Sequence, residues 1–594
     1  MAQKIKITSE DIFRSLIEKE SDLYDSVIVS LPIYKDDIFY PFTDKNISIK
    51  NESTLKEIAL QINKLIKNDT TLFIYGSPVQ LIKFYEFIPK SLSFRYWISI
   101  DLQNLLDDEN TSHLKKNQLG ILMFTKGKYP SLNTINNRMS YFACTACGKN
   151  IKDWGGKKHL MNINGIGISD VWRDFYKFKD VKKDPDNPKI KLNIIKDIKP
   201  SFVLNNNQIP LPILKRLIML IGEEKKILLV QIEKEYLGPI TKKISESNVA
   251  SKSRYNIDSI QNKVLLGDCI KVMENLQNKY PEGIFDLVFA DPPYNLAKHY
   301  KVYDDQISKK EYIDWCNKWL ELCIKLTKPT GSLLVLNIPK WALEHANNLN
   351  KFAYFQNWIV WDALSTPKGK IMPAHYSLLH YSKKADNFTY NKQIPIESPE
   401  YCLRQSCKRF RKNMDNSIIN LKEKDKYTKK TFISDIWWDI PRIKHKKHRD
   451  DHPCQLPYEL MERIIKMFSN ENDLVFDPFA GAGTTSIVAL KNNRKYLTIE
   501  IDPKYKKITE EKLNEVKRYG EVVRKNEIKK RPSIYTKKFL ESKAQELTKR
   551  LGRKPSYDEF IKVCKFQPKQ VEFLYNNPRD LLKAARIELL NGVH

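Results

Sequence analysis

The sequence predicts an α/β chain built on parallel sheets, in two related copies, followed by a short helical segment. Three observations carry this prediction. An apolar run, Phe285-Asp286-Leu287-Val288-Phe289-Ala290, stops at Asp291-Pro292-Pro293-Tyr294. A second run, Asp473-Leu474-Val475-Phe476, passes through Asp477-Pro478-Phe479-Ala480 into Gly481-Ala482-Gly483-Thr484 and then a helical stretch. Segments of the first 245 residues also repeat the spacing of segments in the second half.

At about 150 residues per domain, 594 residues imply three to five domains. Apolar residues make up 41% of the chain and charged residues 29%, an ordinary globular balance, and no run reaches the 18 apolar residues of a spanning helix. No membrane partner is expected. The start has no apolar core or cleavage pattern, so a cytoplasmic protein is expected. The surplus of 101 Lys and Arg over 71 Asp and Glu, a net charge of +30, points to a polyanionic partner. The nine cysteines suit free thiols rather than a disulfide framework. Cys144 and Cys147 have the spacing of half a zinc site, but only His159 or the distant Cys402 and Cys407 could complete it, so no metal is expected.

Each element of the second half has a local reason. Val264-Leu265-Leu266 is a short strand leading to Gly267-Asp268, an acid placed to accept from an amino group. The strand over 285–290 ends because Pro292 and Pro293 offer no ladder donor. Open α/β sheets place their ligands just beyond the carboxyl ends of parallel strands, where Asp291 and Tyr294 stand. Gly481 and Gly483 let the backbone approach a ligand at a helix N-terminus, and the missing Gly-Lys-Ser/Thr ending argues against a phosphate-gripping loop. The strand Lys495–Glu500 ends in an acid able to hold two ribose hydroxyls.

Together, Asp291-Pro292-Pro293-Tyr294 and Asp477-Pro478-Phe479-Ala480-Gly481-Ala482-Gly483-Thr484 resemble the amino-methyltransferases of DNA. The order, with the Asp-Pro-Pro-Tyr segment first and about 180 residues between the two, is similar to the beta class, in which a target-recognition region lies between the motifs. The likeness covers roughly residues 255 to 525 and includes His452-Pro453-Cys454-Gln455-Leu456-Pro457, where Leu456 replaces the family's usual basic residue. The resemblance implies a Rossmann-like fold that uses S-adenosylmethionine and acts on double-stranded DNA. It implies that Asp291 and the Pro292 carbonyl accept the two protons of an exocyclic amine, within the Asp291, Pro292, Pro293, Tyr294 segment, while Tyr294 stacks on a flipped base. It also implies that Phe479, Gly481, Gly483 and Thr484 border the methionine part of the cofactor, Glu500 its ribose and Asp268 its adenine, with Asp477 also among the cofactor-binding residues. Adenine N6 is the expected target, because Asp at the first motif position goes more with adenine; cytosine N4 is the alternative. A silent nucleic-acid binder and an RNA substrate are further alternatives. A restriction–modification setting, with a cognate endonuclease, is expected.

The first half repeats this pattern without its chemistry. Asp25-Ser26-Val27-Ile28-Val29-Ser30-Leu31-Pro32-Ile33 lines up with Asp286–Tyr294. The distance from Asp25 to Leu72 is 47, as from Asp286 to Leu333, and from Asp25 to Trp97 it is 72, as from Asp286 to Trp358. Ile168-Ser169-Asp170-Val171-Trp172 answers Ile433-Ser434-Asp435-Ile436-Trp437, with the acids at 145 and 149. Ser30-Leu31-Pro32-Ile33 lacks the acid and the clamp, and Ile227-Leu228-Leu229-Val230 leads into Gln231-Ile232-Glu233-Lys234 instead of a glycine loop. The expected division is a degenerate, non-catalytic copy over 1–245 and a catalytic domain over 246–525, with recognition region 365–450. A helical segment over 526–594, either a helix-turn-helix-like DNA contact or a plain oligomerisation bundle, completes it. The first copy would be an internal pseudo-dimer partner, making the chain a monomer suited to an asymmetric site.

Overall fold

The computed structural model describes residues 2–20, 24–66, 68–102, 113–129, 131–135, 137–143, 148–150, 161–185, 187–200, 208–241, 255, 257–296, 306–363, 371–392, 396–397, 430–431, 433–440, 442–443, 455–519, 522, 536–564, 566, 571 and 581. Cys144, Cys147, His159, Cys402 and Cys407 lie outside them, as does most of the expected recognition region 365–450. Among the described residues no helix is long and apolar enough to cross a membrane, and no group of three or more metal-ligating side chains occurs.

The first half forms a sheet from β1 (Ala2–Ile7), β2 (Ser26–Ser30), β3 (Thr71–Gly76), β4 (Leu92–Asp101), β5 (Gln118–Lys126), β6 (Val171–Trp172) and β7 (Ile227–Ile232), in the order β1-β7-β2-β3-β5-β4-β6. The second half uses β8 (Lys263–Leu266), β9 (Phe285–Ala290), β10 (Thr327–Asn337), β11 (Tyr354–Asp362), β12 (His375–Ser382), β13 (Ile436–Trp437), β14 (Leu474–Asp477) and β15 (Lys495–Glu500), in the order β8-β15-β14-β9-β10-β12-β11-β13. Apart from the edge strand β8, the two orders match position by position. In each sheet one strand, β5 or β12, runs antiparallel to both neighbours, and every other pair is parallel. The connectivity differs in one respect: β1 opens the chain, whereas β15, in the matching place, follows β14 directly. The central strands are buried along their length, as expected of sheets covered on both faces.

Helices on the sheets include α1 (Ile49–Leu65), α2 (Pro78–Phe87), α3 (Cys269–Lys279), α4 (Lys309–Leu326), α5 (Pro339–Leu349), α6 (Thr484–Lys491) and α7 (Pro503–Tyr519). Their starts follow from capping chemistry. Ser77 and Ser308 each form a reciprocal box, with Gln80 and Glu311, and Pro78 and Pro339 occupy the first helical turn, where no N–H is needed. Farther on, α8 (Lys537–Leu551) ends at Gly552 with φ +62°, and α9 (Tyr557–Cys564) packs with it around Leu540, Leu547 and Phe560.

The two halves meet through matching residues. Trp97 of β4 and Trp358 of β11, 261 positions apart, stack with centroids 4.0 Å apart and planes 6° from parallel. Asp170 Oδ1 accepts the Ala374 N–H at 2.8 Å, just before β12, and Asp435 Oδ1 accepts the Asn117 N–H at 2.8 Å, just before β5. The acids' own N–H groups donate to Met372 and Lys115 carbonyls at 3.1 and 2.9 Å. Within each Ile-Ser-Asp-x-Trp segment the tryptophan N–H closes the turn on the serine carbonyl, Trp172 on Ser169 at 2.9 Å and Trp437 on Ser434 at 2.8 Å. The shared pattern at nearly equal distance marks these segments as repeats in the sequence; their work as reciprocal clasps is visible only in the fold.

Candidate active site

Four neighbouring strands of the second sheet, β8, β15, β14 and β9, run parallel and end at one edge. Their carboxyl ends lead to Asp268, Glu500, the Phe479–Thr484 loop and Asp291, in that spatial order. With parallel strands about 4.8 Å apart, this row spans about 14 Å.

Asp268 lies two residues beyond β8 and caps α3, accepting the Lys271 N–H at 3.0 Å. Its anchor is the adjacent Gly267 N–H, which donates to the Glu500 carbonyl at 2.9 Å. The Glu500 carboxylate is buried and accepts the N–H groups of Gly481 (2.7 Å) and Asp502 (2.9 Å), one on each oxygen. Burial raises its pKa, against the pull of those N–H donors. The Ile501 N–H pulls the same way, and a carboxylate offers about four acceptor sites in all.

The glycine loop is shaped from below by Asp477. Its carboxylate is 3% exposed and accepts the Phe479 N–H at 2.8 Å and the Thr485 hydroxyl at 2.5 Å. Burial pushes Asp477 up to about 7, the hydrogen bonds opposing the shift. Gly481 (φ +52°) and Gly483 (φ +81°) carry the left-handed turn, with Gly483 preceding Thr484, the first residue of α6. A Cβ on Gly483 would sit 2.4 Å from Thr509 Cγ2 of α7, so only glycine fits. The Phe479 ring packs edge-on to Trp319, with centroids 5.2 Å apart.

Beyond β9 the Asp291–Tyr294 segment is folded on itself. The Tyr294 hydroxyl donates to Asp291 Oδ1 at 2.6 Å, and the Tyr294 ring lies 6.1 Å from that of Tyr376 at 50°. Asn295, with φ +52°, bonds both backbone groups of Ile307, its amide donating to the carbonyl at 2.8 Å and its oxygen accepting the N–H at 3.0 Å. Sequence reading missed Tyr312 and Trp341, which donate to the Pro293 and Tyr294 carbonyls at 2.7 Å each. Nothing in their spacing announces this, because each lies on a helix remote in sequence.

The matching corner of the first sheet has another shape. Val475 lies beside Leu287, and Ile227 lies beside Ser26. Since Ser26 and Leu287 are 261 positions apart, Asp477 is matched by Leu229. Where β14 ends at Asp477 and turns, β7 runs straight on to Ile232, paired with Ile7 of β1.

Comparison with known proteins fits this geometry. Residues 285–511 match the model of the DNA methylase family. The type II methyltransferase M.HpaI of Haemophilus parainfluenzae is 30% identical over 42% of this chain and 74% of its own length. The chain belongs to the DNA methylase family. The type II methyltransferase M.BamHI of Bacillus amyloliquefaciens is 34% identical over 44% of this chain and 59% of its own length. The DNA adenine methyltransferase YhdJ of Escherichia coli is 29% identical over 43% and 84%. The family match lies wholly within the second half.

Proposed function

We propose that the chain is a DNA amino-methyltransferase that uses S-adenosylmethionine, methylates adenine N6 in double-stranded DNA, and is the modification partner of a restriction endonuclease in the cytoplasm. The observation that carries this reading is the order of groups along the sheet edge: Asp268, Glu500, glycine loop, Asp291. An adenine, ribose, methionine and methyl-accepting amine laid along that edge would meet them in the same order. The residues present fit the cofactor. Glu500 retains acceptor capacity toward a ribose hydroxyl, Gly481 puts no side chain between its backbone and a ligand, and Gly483, packed against Thr509, fixes the turn that starts α6. Asp268 would accept from the adenine amine; Phe479 and Thr484 would flank the methionine part. Asp477 acts on the cofactor through the loop it holds.

Bound S-adenosylmethionine supplies an electrophilic methyl group on a sulfonium. The chain's part is to hold the amine. An exocyclic amine is a weak nucleophile because its lone pair is delocalised into the ring. Asp291 and the Pro292 carbonyl accept its two protons, favour tetrahedral nitrogen and aim the lone pair. The incoming amine takes the place of the Tyr294 hydroxyl at Asp291 Oδ1, which frees the Tyr294 ring to stack on the flipped base. The adenine choice is supported by Asp at position 291 and by YhdJ among the relatives.

The first half is, in this reading, a non-catalytic copy that pairs with the catalytic one inside a single chain and helps hold DNA. Its β7 runs straight into Glu233-Lys234 with no glycine turn to take the cofactor. Incubation with DNA and labelled S-adenosylmethionine, with nucleoside mass spectrometry of the product, tests the reading. N6-methyladenine is expected. N4-methylcytosine would change the base and keep the chemistry, whereas no methylated nucleoside would overturn the reading.

A further inference from the structure

The carbonyls of Pro292, Pro293 and Tyr294 are consecutive, and the fold treats them differently. Tyr312, on α4, donates its hydroxyl proton to the Pro293 carbonyl, and Trp341, on α5, donates its indole N–H to the Tyr294 carbonyl, both at 2.7 Å. Among the described residues no hydrogen bond reaches the Pro292 carbonyl. The two donors pack on each other, with ring centroids 4.6 Å apart.

Behind Tyr312 lies a buried polar chain. Asn337, at the end of β10, points its amide at Tyr312 Oη (3.5 Å) and His345 Nε2 (3.0 Å), and its oxygen accepts the Ile338 N–H at 2.8 Å. Burial drives the His345 pKa down to about 3, so the neutral ring accepts at Nε2. With Asn337 donating to the Tyr312 oxygen, the Tyr312 proton is directed to Pro293.

The first half shows that the fold does not need this network. On the 261-residue offset that matches Trp97 with Trp358, the places of Tyr312, Asn337, Trp341 and His345 are held by Asn51, Gly76, Gln80 and Phe84. Gln80 donates to the Pro32 carbonyl at 2.8 Å, the counterpart of Pro293, while Asn51 turns to the Pro239 carbonyl at 2.7 Å. The same strands and helices are thus built there without the paired clamp.

We propose that Tyr312 and Trp341 are positioning residues for methyl transfer: they occupy the two carbonyls after Pro292 and so present the Pro292 carbonyl as the acceptor for the target amine. This rests on the amino-methyltransferase reading above. A displacement of about 1 Å at a reacting group costs on the order of 100-fold in rate, and loss of either donor frees the segment to rotate.

The test uses the full chain, DNA and labelled S-adenosylmethionine. Tyr312→Phe and Trp341→Phe are expected to lower kcat roughly 10- to 100-fold, with KM and calorimetric affinity for S-adenosylmethionine within about threefold of the parent. His345→Phe, which installs the residue found at that place in the first half, is expected to give a smaller fall in kcat with the thermal midpoint nearly unchanged. The double variant Tyr312→Phe/Trp341→Phe is expected to be little worse than either single one, since both hold one segment. A kcat within twofold of the parent in both single variants would overturn the proposal, and so would a loss confined to cofactor affinity or matched by a fall in the midpoint. An inactive parent chain would instead overturn the methyltransferase reading, and this inference with it.

Discussion

The two sheets agree where side chains are buried among one another and part company at one corner. β2 and β9 lie at the centre of their sheets, flanked by matching strands, and Trp97 and Trp358 meet face to face. Yet β14 turns after Asp477 into a loop made by two glycines, and β7 in the same place continues straight to Ile232. A scaffold of this kind depends on many interchangeable apolar residues, any of which tolerates replacement by another of similar size. The corner depends on a few residues with no substitutes: an acid under the loop, a glycine against Thr509, an acid after the central strand. The proposed non-catalytic role of the first half turns on this corner, since the strand order can match while the corner differs.

The sharpest way to break that comparison is to exchange the acids' fates. Asp291→Ala is expected to lower methyl transfer by about 10³-fold or more while calorimetry shows S-adenosylmethionine binding within a few-fold of the parent. Ser30→Ala, at the matching place in the first half, is expected to leave the rate within twofold. A large loss in the second variant would show that the first half takes part in the reaction. Next in size comes Gly483→Ala. The added methyl meets Thr509 and the φ of +81° opposes it, a strain on the order of 1–3 kcal/mol. The expected readout is roughly a tenfold or greater weakening of cofactor binding, with DNA binding by electrophoretic mobility unchanged. Unaltered cofactor affinity would remove the loop from the cofactor site.

How much of the molecule is legible in its sequence depends on the range of the forces involved. The strand before Asp291 and the strand, turn and helix around Gly483 are legible because proline and glycine act through their own backbone. The places of Trp97 and Trp358 in a repeat are legible from equal spacing, and those of Asp170 and Asp435 from the shared Ile-Ser-Asp-x-Trp pattern at nearly equal distance, since matching sheets need similar lengths of chain. The length of β7 is not: its apolar run stops at Val230, but pairing with β1 carries the strand on to Ile232. Nor is the cap that Asp268 makes on α3, two residues past the end of β8. Tyr312 and Trp341 are hidden for a deeper reason. A single side-chain donor aimed at a carbonyl on another element has no periodicity, and only tertiary packing brings it there.

The clasps between the halves allow a finer test. Asp170 and Asp435 do the same work from opposite sides, so Asp170→Ala and Asp435→Ala should each leave a buried N–H without its partner and cost about 1–3 kcal/mol in urea unfolding. Similar losses would support a symmetric interface; a loss in one alone would show that the halves lean on one clasp.

The smallest expected effect concerns the charge of the Asp435 clasp. Burial pushes Asp435 up to about 7, with Asp101 adding to the rise while the Asn117 N–H, the Gln118 amide and Lys116 oppose it. A carboxyl whose folded pKa lies above its ordinary value binds its proton more tightly in the folded state. It therefore contributes stability in full below about pH 4 and loses it as pH rises through 7. Asp435→Asn keeps an oxygen for the Asn117 N–H and cannot ionise. Relative to this variant, the parent is expected to lose on the order of 1 kcal/mol or more between pH 5 and pH 8, measured by urea unfolding at the two values. Equal pH dependence in both proteins would mean that Asp435 stays ionised in its buried place, with the N–H of Asn117, the amide of Gln118 and Lys116 outweighing the cost of burial.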